Sequence, residues 1–457
     1  MLEKILVSTT KMTIMSINTS ASQHFDKTVF SGGTRLVLVP MVGVNSVATC
    51  VMVDVGSRNE TPETSGVSHF LEHMVFKGTK KYPTTEDVNF IERMGGLQNA
   101  YTDVDITNYH NKLMAADWKE ALELNKELAL YPLLEEKHID KERNVILEEM
   151  KRYNDDLPVK VSEEFQKLLY HGTPLGMRVI GEEQSLRDAT GKTLREYHDR
   201  MYTPDRIVVV MAGKLECQML NAKCQIQNVK KQEEEWFETR PSHKASAGKQ
   251  ENVAVVDTQK KPALVVVTKK DAQQAHITLG VRTFRRGSED RFAWSVFNLL
   301  FGVSFTSRLF KEIREKRGLC YTVRSGSDNW DDVGNWSIYA GVATEKVGVA
   351  VSAIIDELKK AVDKGVTDEE VNVAKKRILT MVSFKAEDPE FMAEFYGQQE
   401  LRHLPILTID EFFEKIKAVT KEDIGECIKK YIIEQTLNLA VVWNKPEDEK
   451  LIKLLKI

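Results

Sequence analysis

Two stretches of this chain of 457 residues present the same succession of strand-like and helix-like patterns, and that repetition limits the fold more than any single motif. In the first half, strand runs at "TRLVLVP" and "SVATCVMVDVGS" precede helical periodicities at 65–77, 84–94, 117–130 and 138–153, and "DRIVVVMAG" closes the set. In the second, "PALVVVTKK" and "QAHITLGVRTFRRGS" precede helical patterns at 289–300, 305–316, 346–363, 367–384 and 408–429, before a final "LNLAVVWNK". Ser57 to Val210 spans 153 positions and Ser288 to Val442 spans 154, so the halves keep step. A unit of about 200 residues is a domain, not a solenoid turn. Between the halves, 215–262 turns polar and charged and reads as a solvated connector. The expected fold class is α+β: two homologous domains, 24–214 and 263–457, each a mainly antiparallel sheet covered by helices and joined by that linker.

Bulk properties exclude several functions. Basic and acidic residues nearly balance, 64 against 68, and no Lys/Arg block is interleaved with aromatics, so nucleic acid is not an expected partner. No apolar run reaches the 18 residues of a membrane span, and residues 1–24 lack a signal-peptide core, so a soluble, cytoplasmic protein is expected. The five scattered cysteines suit free thiols in a reducing compartment.

The chemistry concentrates in "GVSHFLEHMVFKGT". On a helix, residues at i, i+3 and i+4 share a face, so His69, Glu72 and His73 point the same way from consecutive turns. Val67, Phe70, Leu71, Met74 and Val75 take the rest of the surface, with Thr64 or Ser65 as the expected N-cap and Gly78 as the stop. Two imidazoles so placed are ligands for Zn²⁺, and the intervening carboxylate can take a proton from a metal-bound water without ligating. The order His-x-x-Glu-His is the inverzincin pattern.

A catalytic zinc site needs a third protein ligand. The helical segment "HIDKERNVILEEMKRY" offers Glu142, Glu148 and Glu149. Seven residues make nearly two turns, which puts Glu142 and Glu149 on one face with Glu148 rotated away. Val145 and Ile146, lying between them, are expected on an inward face. Glu149 is therefore the expected third ligand, and Glu142 the carboxylate that orients a ligand or assists the proton relay.

"VDVGSRNETPETSGVSHFLEHMVFKGT", "LQNAYTDVDITNYH" and "ERNVILEEM" together resemble the pitrilysin/insulinase-type zinc peptidases, specifically the short-chain branch of processing-peptidase type, and the resemblance spans nearly the whole chain. In that family the third ligand lies 76 positions after the second histidine, which lands on Glu149, and a helper glutamate lies seven before it, which is Glu142. The family's substrate-side arginine and tyrosine match Arg314 and Tyr321 in "SRLFKEIREKRGLCYTVRS". Such groups donate to a substrate carbonyl and its developing oxyanion. By the repeat register Leu300 corresponds to His69, so the second domain lacks the zinc ligands.

The resemblance implies further features. A peptide substrate adds to an exposed edge strand at Asn99, Ala100 and Tyr101. Two chains pair as a homodimer, or as a heterodimer with a paralogue, so that Arg314 and Tyr321 of one complete the other's site. The single glycine in "LLFGVSFTSRLF" resembles a catalytic subunit rather than a glycine-rich recognition partner. The expected activity is that of a metalloendopeptidase with one Zn²⁺ per chain. The alternative is a silent scaffold or peptide-binding subunit on the same fold, against which the intact set His69, Glu72, His73, Glu142 and Glu149 speaks.

Overall fold

The computed structural model describes residues 25–215, 230, 259–446 and 449–457. The expected linker, 215–262, lies almost wholly outside the described residues, as do residues 1–24, Cys217 and Cys224.

The described strands form two sheets. The first runs β1 (Asp26–Val29), β2 (Arg35–Pro40), β6 (Ile207–Gly213), β3 (Ser46–Val53), β5 (Thr107–Met114), β4 (Leu97–Thr102). The second runs β7 (Ala263–Thr268), β11 (Asn438–Trp443), β8 (Ala275–Thr283), β10 (Gly334–Val342), β9 (Cys320–Asn329). Apart from β1, the two orders match strand for strand. Each has one parallel pair, β2 with β6 and β7 with β11, among antiparallel neighbours. The repeat in the sequence is thus a repeat of topology, and the fold is α+β, mainly antiparallel, with helices on both sheets.

Local structure departs from the sequence reading in places. The run 408–429 is two helices, Ile409–Ala418 and Lys421–Tyr431, because Thr420 caps the second by accepting the Asp423 N–H. The pattern at 305–316 is helical only from Arg308, and Phe310–Lys316 is wound as a π-helix. Strands β5, β9 and β10 and the helices Leu157–Leu169 and Pro389–Leu401 are elements beyond those expected from the sequence.

Those last two helices hold the halves together by exchange. Helix Pro389–Leu401, from the second half, lays Met392, Ala393, Tyr396 and Leu401 against the first sheet at Val37, Met52, Val208 and Val210. Helix Leu157–Leu169, from the first half, lays Val161, Phe165 and Leu169 against Ala440 and Val442 of the second. At Gly397 a Cβ would stand 2.7 Å from Met52 Sδ and 2.8 Å from Val210 Cγ2, so glycine permits the close approach there. With both faces covered, β6 and β11 are buried throughout and read as unbroken apolar runs. Among the described residues, no helix is long and apolar enough to cross a membrane. Cys50, Cys320 and Cys427 are free thiols.

Candidate metal centre

The helix Val67–Val75 is anchored by Val67, Phe70, Leu71, Met74 and Val75, all buried at 0–1% exposure, which leaves His69, Glu72 and His73 on the remaining face. Its start differs from the Thr64 or Ser65 cap expected. The N-cap is Gly66, at φ +89° and with Ile180 O only 2.7 Å from where a Cβ would sit. Glycine has no capping side chain, so the buried Glu60 supplies the cap from a distance. Its carboxylate accepts from the Gly66 and Ser68 N–H groups, each at 2.7 Å. A carboxylate at a helix N-terminus is stabilised by the free N–H groups and the dipole.

Facing this helix is Glu136–Asp155, which presents Glu142 and Glu149 inward. Glu148 turns to solvent at 71% side-chain exposure and pairs with Lys151. Of the two residues between, Ile146 is buried, but Val145 is 45% exposed, since the inward face is narrower than the sequence reading assumed. Ligand atoms of His69, His73 and Glu149 all lie within 4.8 Å of one another. Glu149 Oε2 is 3.7 Å from His69 Nε2 and 3.6 Å from His73 Nε2. Those separations are too long for hydrogen bonds. Zinc bonds of about 2.0–2.1 Å in tetrahedral directions put ligand atoms about 3.4 Å apart, so the triad fits a shared cation better than it fits direct pairing. Burial, reinforced by His73, holds the His69 imidazole well below its ordinary pKa, which keeps it a neutral lone-pair donor. Two imidazoles and a carboxylate are a donor set that suits Zn²⁺.

The other polar groups stand outside the triad. Glu142 Oε2 lies 3.4 Å from His73 Nδ1, while its Oε1 is 2.7 Å from Lys77 Nζ, so the lysine one turn beyond His73 holds the buried Glu142 carboxylate in place. Burial raises the Glu72 carboxyl, partly offset by Thr102 at the end of β4 and by His73. A carboxylate moved toward neutral pH is better matched to accepting and returning a proton. Tyr153, on the next turn after Glu149, donates its hydroxyl to Glu149 Oε1 at 2.8 Å. Sequence reading missed Lys77, Glu60 and Tyr153. The i+4 spacings of His73–Lys77 and Glu149–Tyr153 carried the signal for two of them.

Strand β4, with Asn99, Ala100 and Tyr101, is the edge of its sheet on the side of the histidine helix. Ala100 is buried, Asn99 Oδ1 accepts from the Ala100 N–H at 2.9 Å, and Tyr101 donates to Glu394 Oε1 at 2.7 Å. The Tyr101 hydroxyl is thus tied to the exchanged helix of the second half. Arg314 and Tyr321 meet on the second half, the guanidinium 5.0 Å from the phenol centroid, and Tyr321 is 79% exposed. Leu300, the counterpart of His69, is buried in the second core.

Comparison with known proteins gives a consistent picture. Residues 37–183 match the family model described as insulinase (peptidase family M16), and residues 188–378 match that of the peptidase M16 inactive domain. The chain is similar to the uncharacterized zinc protease YmxG of Bacillus subtilis, 31% identical over 393 residues, covering 86% of this chain and 92% of that protein. An uncharacterized zinc protease of Mycobacterium leprae is 32% identical over 400 residues, 87% of each chain. Among solved structures, a protease from Helicobacter pylori shares the fold at a TM-score of 0.85 and 23% identity, over 93% of this chain and all of that one. The periplasmic protease PqqL of Escherichia coli shares it at a TM-score of 0.75 and 21% identity, over 94% of this chain and 49% of that one. With relatives matched along nearly their full length and a family model on each half, the chain belongs to the insulinase family of zinc peptidases, family M16.

Proposed function

We propose that the protein is a zinc-dependent endopeptidase for extended or unfolded peptides, with one Zn²⁺ per chain held by His69, His73 and Glu149. The observation that carries this reading is the convergence of those three ligand atoms within 4.8 Å, with Glu72 on the same helix face but outside the set. Bound there, the cation would supply Lewis-acid polarisation of a carbonyl and acidification of water. Glu72 accepts a proton from the attacking water at its carboxylate and returns it to the leaving amide nitrogen. Glu142, held by Lys77, fixes the ring of His73 through Nδ1. The peptide pairs with the edge of β4 that no described strand covers, displacing Asn99 Oδ1 from the Ala100 N–H, which gives affinity through backbone hydrogen bonds with little demand on sequence. Arg314 and Tyr321, exposed and in mutual contact, serve as donors to the substrate carbonyl from the second half of a partner copy.

A chelator titration tests the reading. Protein purified by size exclusion is expected to elute as a dimer and to cleave an internally quenched peptide. Chelator should abolish cleavage, and stoichiometric Zn²⁺ should restore it. Cleavage that persists in the zinc-free protein would overturn the metal assignment, and zinc binding without any turnover would favour the peptide-binding alternative.

A further inference from the structure

We infer that Tyr153 is a positioning residue for the metal site: by engaging one oxygen of Glu149 it leaves the other to face the two histidines. This rests on the zinc reading above and adds to it a determinant of affinity. A glutamate carboxylate rotates about its last torsion almost freely and presents either oxygen, or both, to whatever it faces. Here the two oxygens have separate partners. Oε1 accepts from the Tyr153 hydroxyl at 2.8 Å, and Oε2 is the atom lying 3.6 and 3.7 Å from the imidazole Nε2 atoms.

The phenol suits this task because it is neutral: it orients the carboxylate while leaving its negative charge for the cation. Its own place is set by the fold. Tyr153 lies four residues beyond Glu149 on the helix Glu136–Asp155, and its ring packs on the first core. Arg152 also reaches Glu149 Oε1, at 3.3 Å, but its side chain is 71% exposed. An exposed ion pair is screened and contributes little. The tyrosine is therefore the group that fixes the carboxylate.

The test compares metal affinity in metal-stripped protein, using Zn²⁺ alone in competition with a chromogenic chelator. Tyr153→Phe, which keeps the ring, is expected to weaken zinc binding about 10–100-fold. Arg152→Gln should stay within about 3-fold, as a screened pair implies. Tyr153→Gln, which restores an N–H donor, should recover part of the loss. The visible spectrum of the Co²⁺-loaded protein at saturation should change in Tyr153→Phe, a readout that a merely structural role would not move. Zinc affinity within twofold of wild type together with an unchanged Co²⁺ spectrum would overturn the inference. Failure of the wild type to bind zinc, or wild-type affinity in Glu149→Gln, would instead overturn the triad itself and this inference with it.

Discussion

Glu72→Gln is expected to lower kcat for peptide hydrolysis about 10²–10⁴-fold, the range for loss of a positioned general base, while zinc remains bound. The amide matches the carboxylate in shape but cannot accept a proton. The metal should stay because Glu72 is not among the three convergent ligand atoms, and His69 and His73 keep their places on a helix anchored by five buried apolar side chains. KM should change little, since the amide oxygen can keep the contact that Glu72 makes with Thr102 at the end of β4, where substrate is proposed to pair. Folding of the metal-free protein should be no weaker. Burial disfavours the ionised Glu72 carboxylate, and the neutral amide relieves that cost. Hydrolysis of a quenched peptide and zinc content by mass spectrometry, measured on one preparation, check both halves of the expectation. Retained turnover would remove Glu72 from the mechanism; lost zinc would move it into the ligand set.

How much of this was legible in the sequence depends on whether the governing contacts are local. His69, Glu72 and His73 sit within five positions, so helix geometry alone aligns them. Glu149 is distant in sequence, yet its choice over Glu148 followed from one helix's periodicity, and in the structure Glu148 faces solvent while Glu149 faces the histidines. The site's supports were less visible. Glu60 caps the histidine helix from six and eight residues upstream, across a short 3-10 turn at Pro62–Thr64, so no single periodicity links them. Strand β5 hides its nature behind buried polar residues. Asn111 is satisfied by Thr49, the Ala121 carbonyl and Asn125, partners supplied by another strand and by the helix Trp118–Leu130. The exchanged helices each pack on a sheet of the opposite half, so nothing in their own half announces them, although Leu157–Leu169 does carry an apolar stripe, Val161, Phe165 and Leu169 at i, i+4 and i+8. Pro389–Leu401 buries Met392, Ala393, Tyr396, Gly397 and Glu400 on one face, but the glycine and the glutamate break its apolar signal.

Arg402→Met is the second change with a large expected effect, a loss of about 3–5 kcal/mol in stability, the range for removing one partner of a buried ion pair. Arg402 ends the exchanged helix Pro389–Leu401 and crosses to the first half with its side chain only 1% exposed. One guanidinium nitrogen contacts Asp54 Oδ1, and the other is 2.6 Å from the Asp105 carbonyl and 2.7 Å from Asp105 Oδ1. Arg286, also from the second half, lies 2.9 Å from the other Asp105 oxygen. Methionine keeps the apolar stem, so the change isolates the charge. Asp54, whose carboxyl burial already pushes up, can partly rehydrate at 38% exposure; Asp105, at 5%, cannot. Arg286 still pairs with Asp105 in that variant and offsets its buried charge only in part, so adding Asp105→Asn, which leaves Arg286 with Asp331, should recover part of the loss. The turn at Asp103–Ile106 joins β4 to β5, so loosening it should also raise KM more than it lowers kcat if peptide pairs with β4. Urea unfolding and steady-state kinetics on the single and double variants separate these effects. An unchanged midpoint in Arg402→Met would show that the apolar exchange of helices, not the charge cluster, joins the halves.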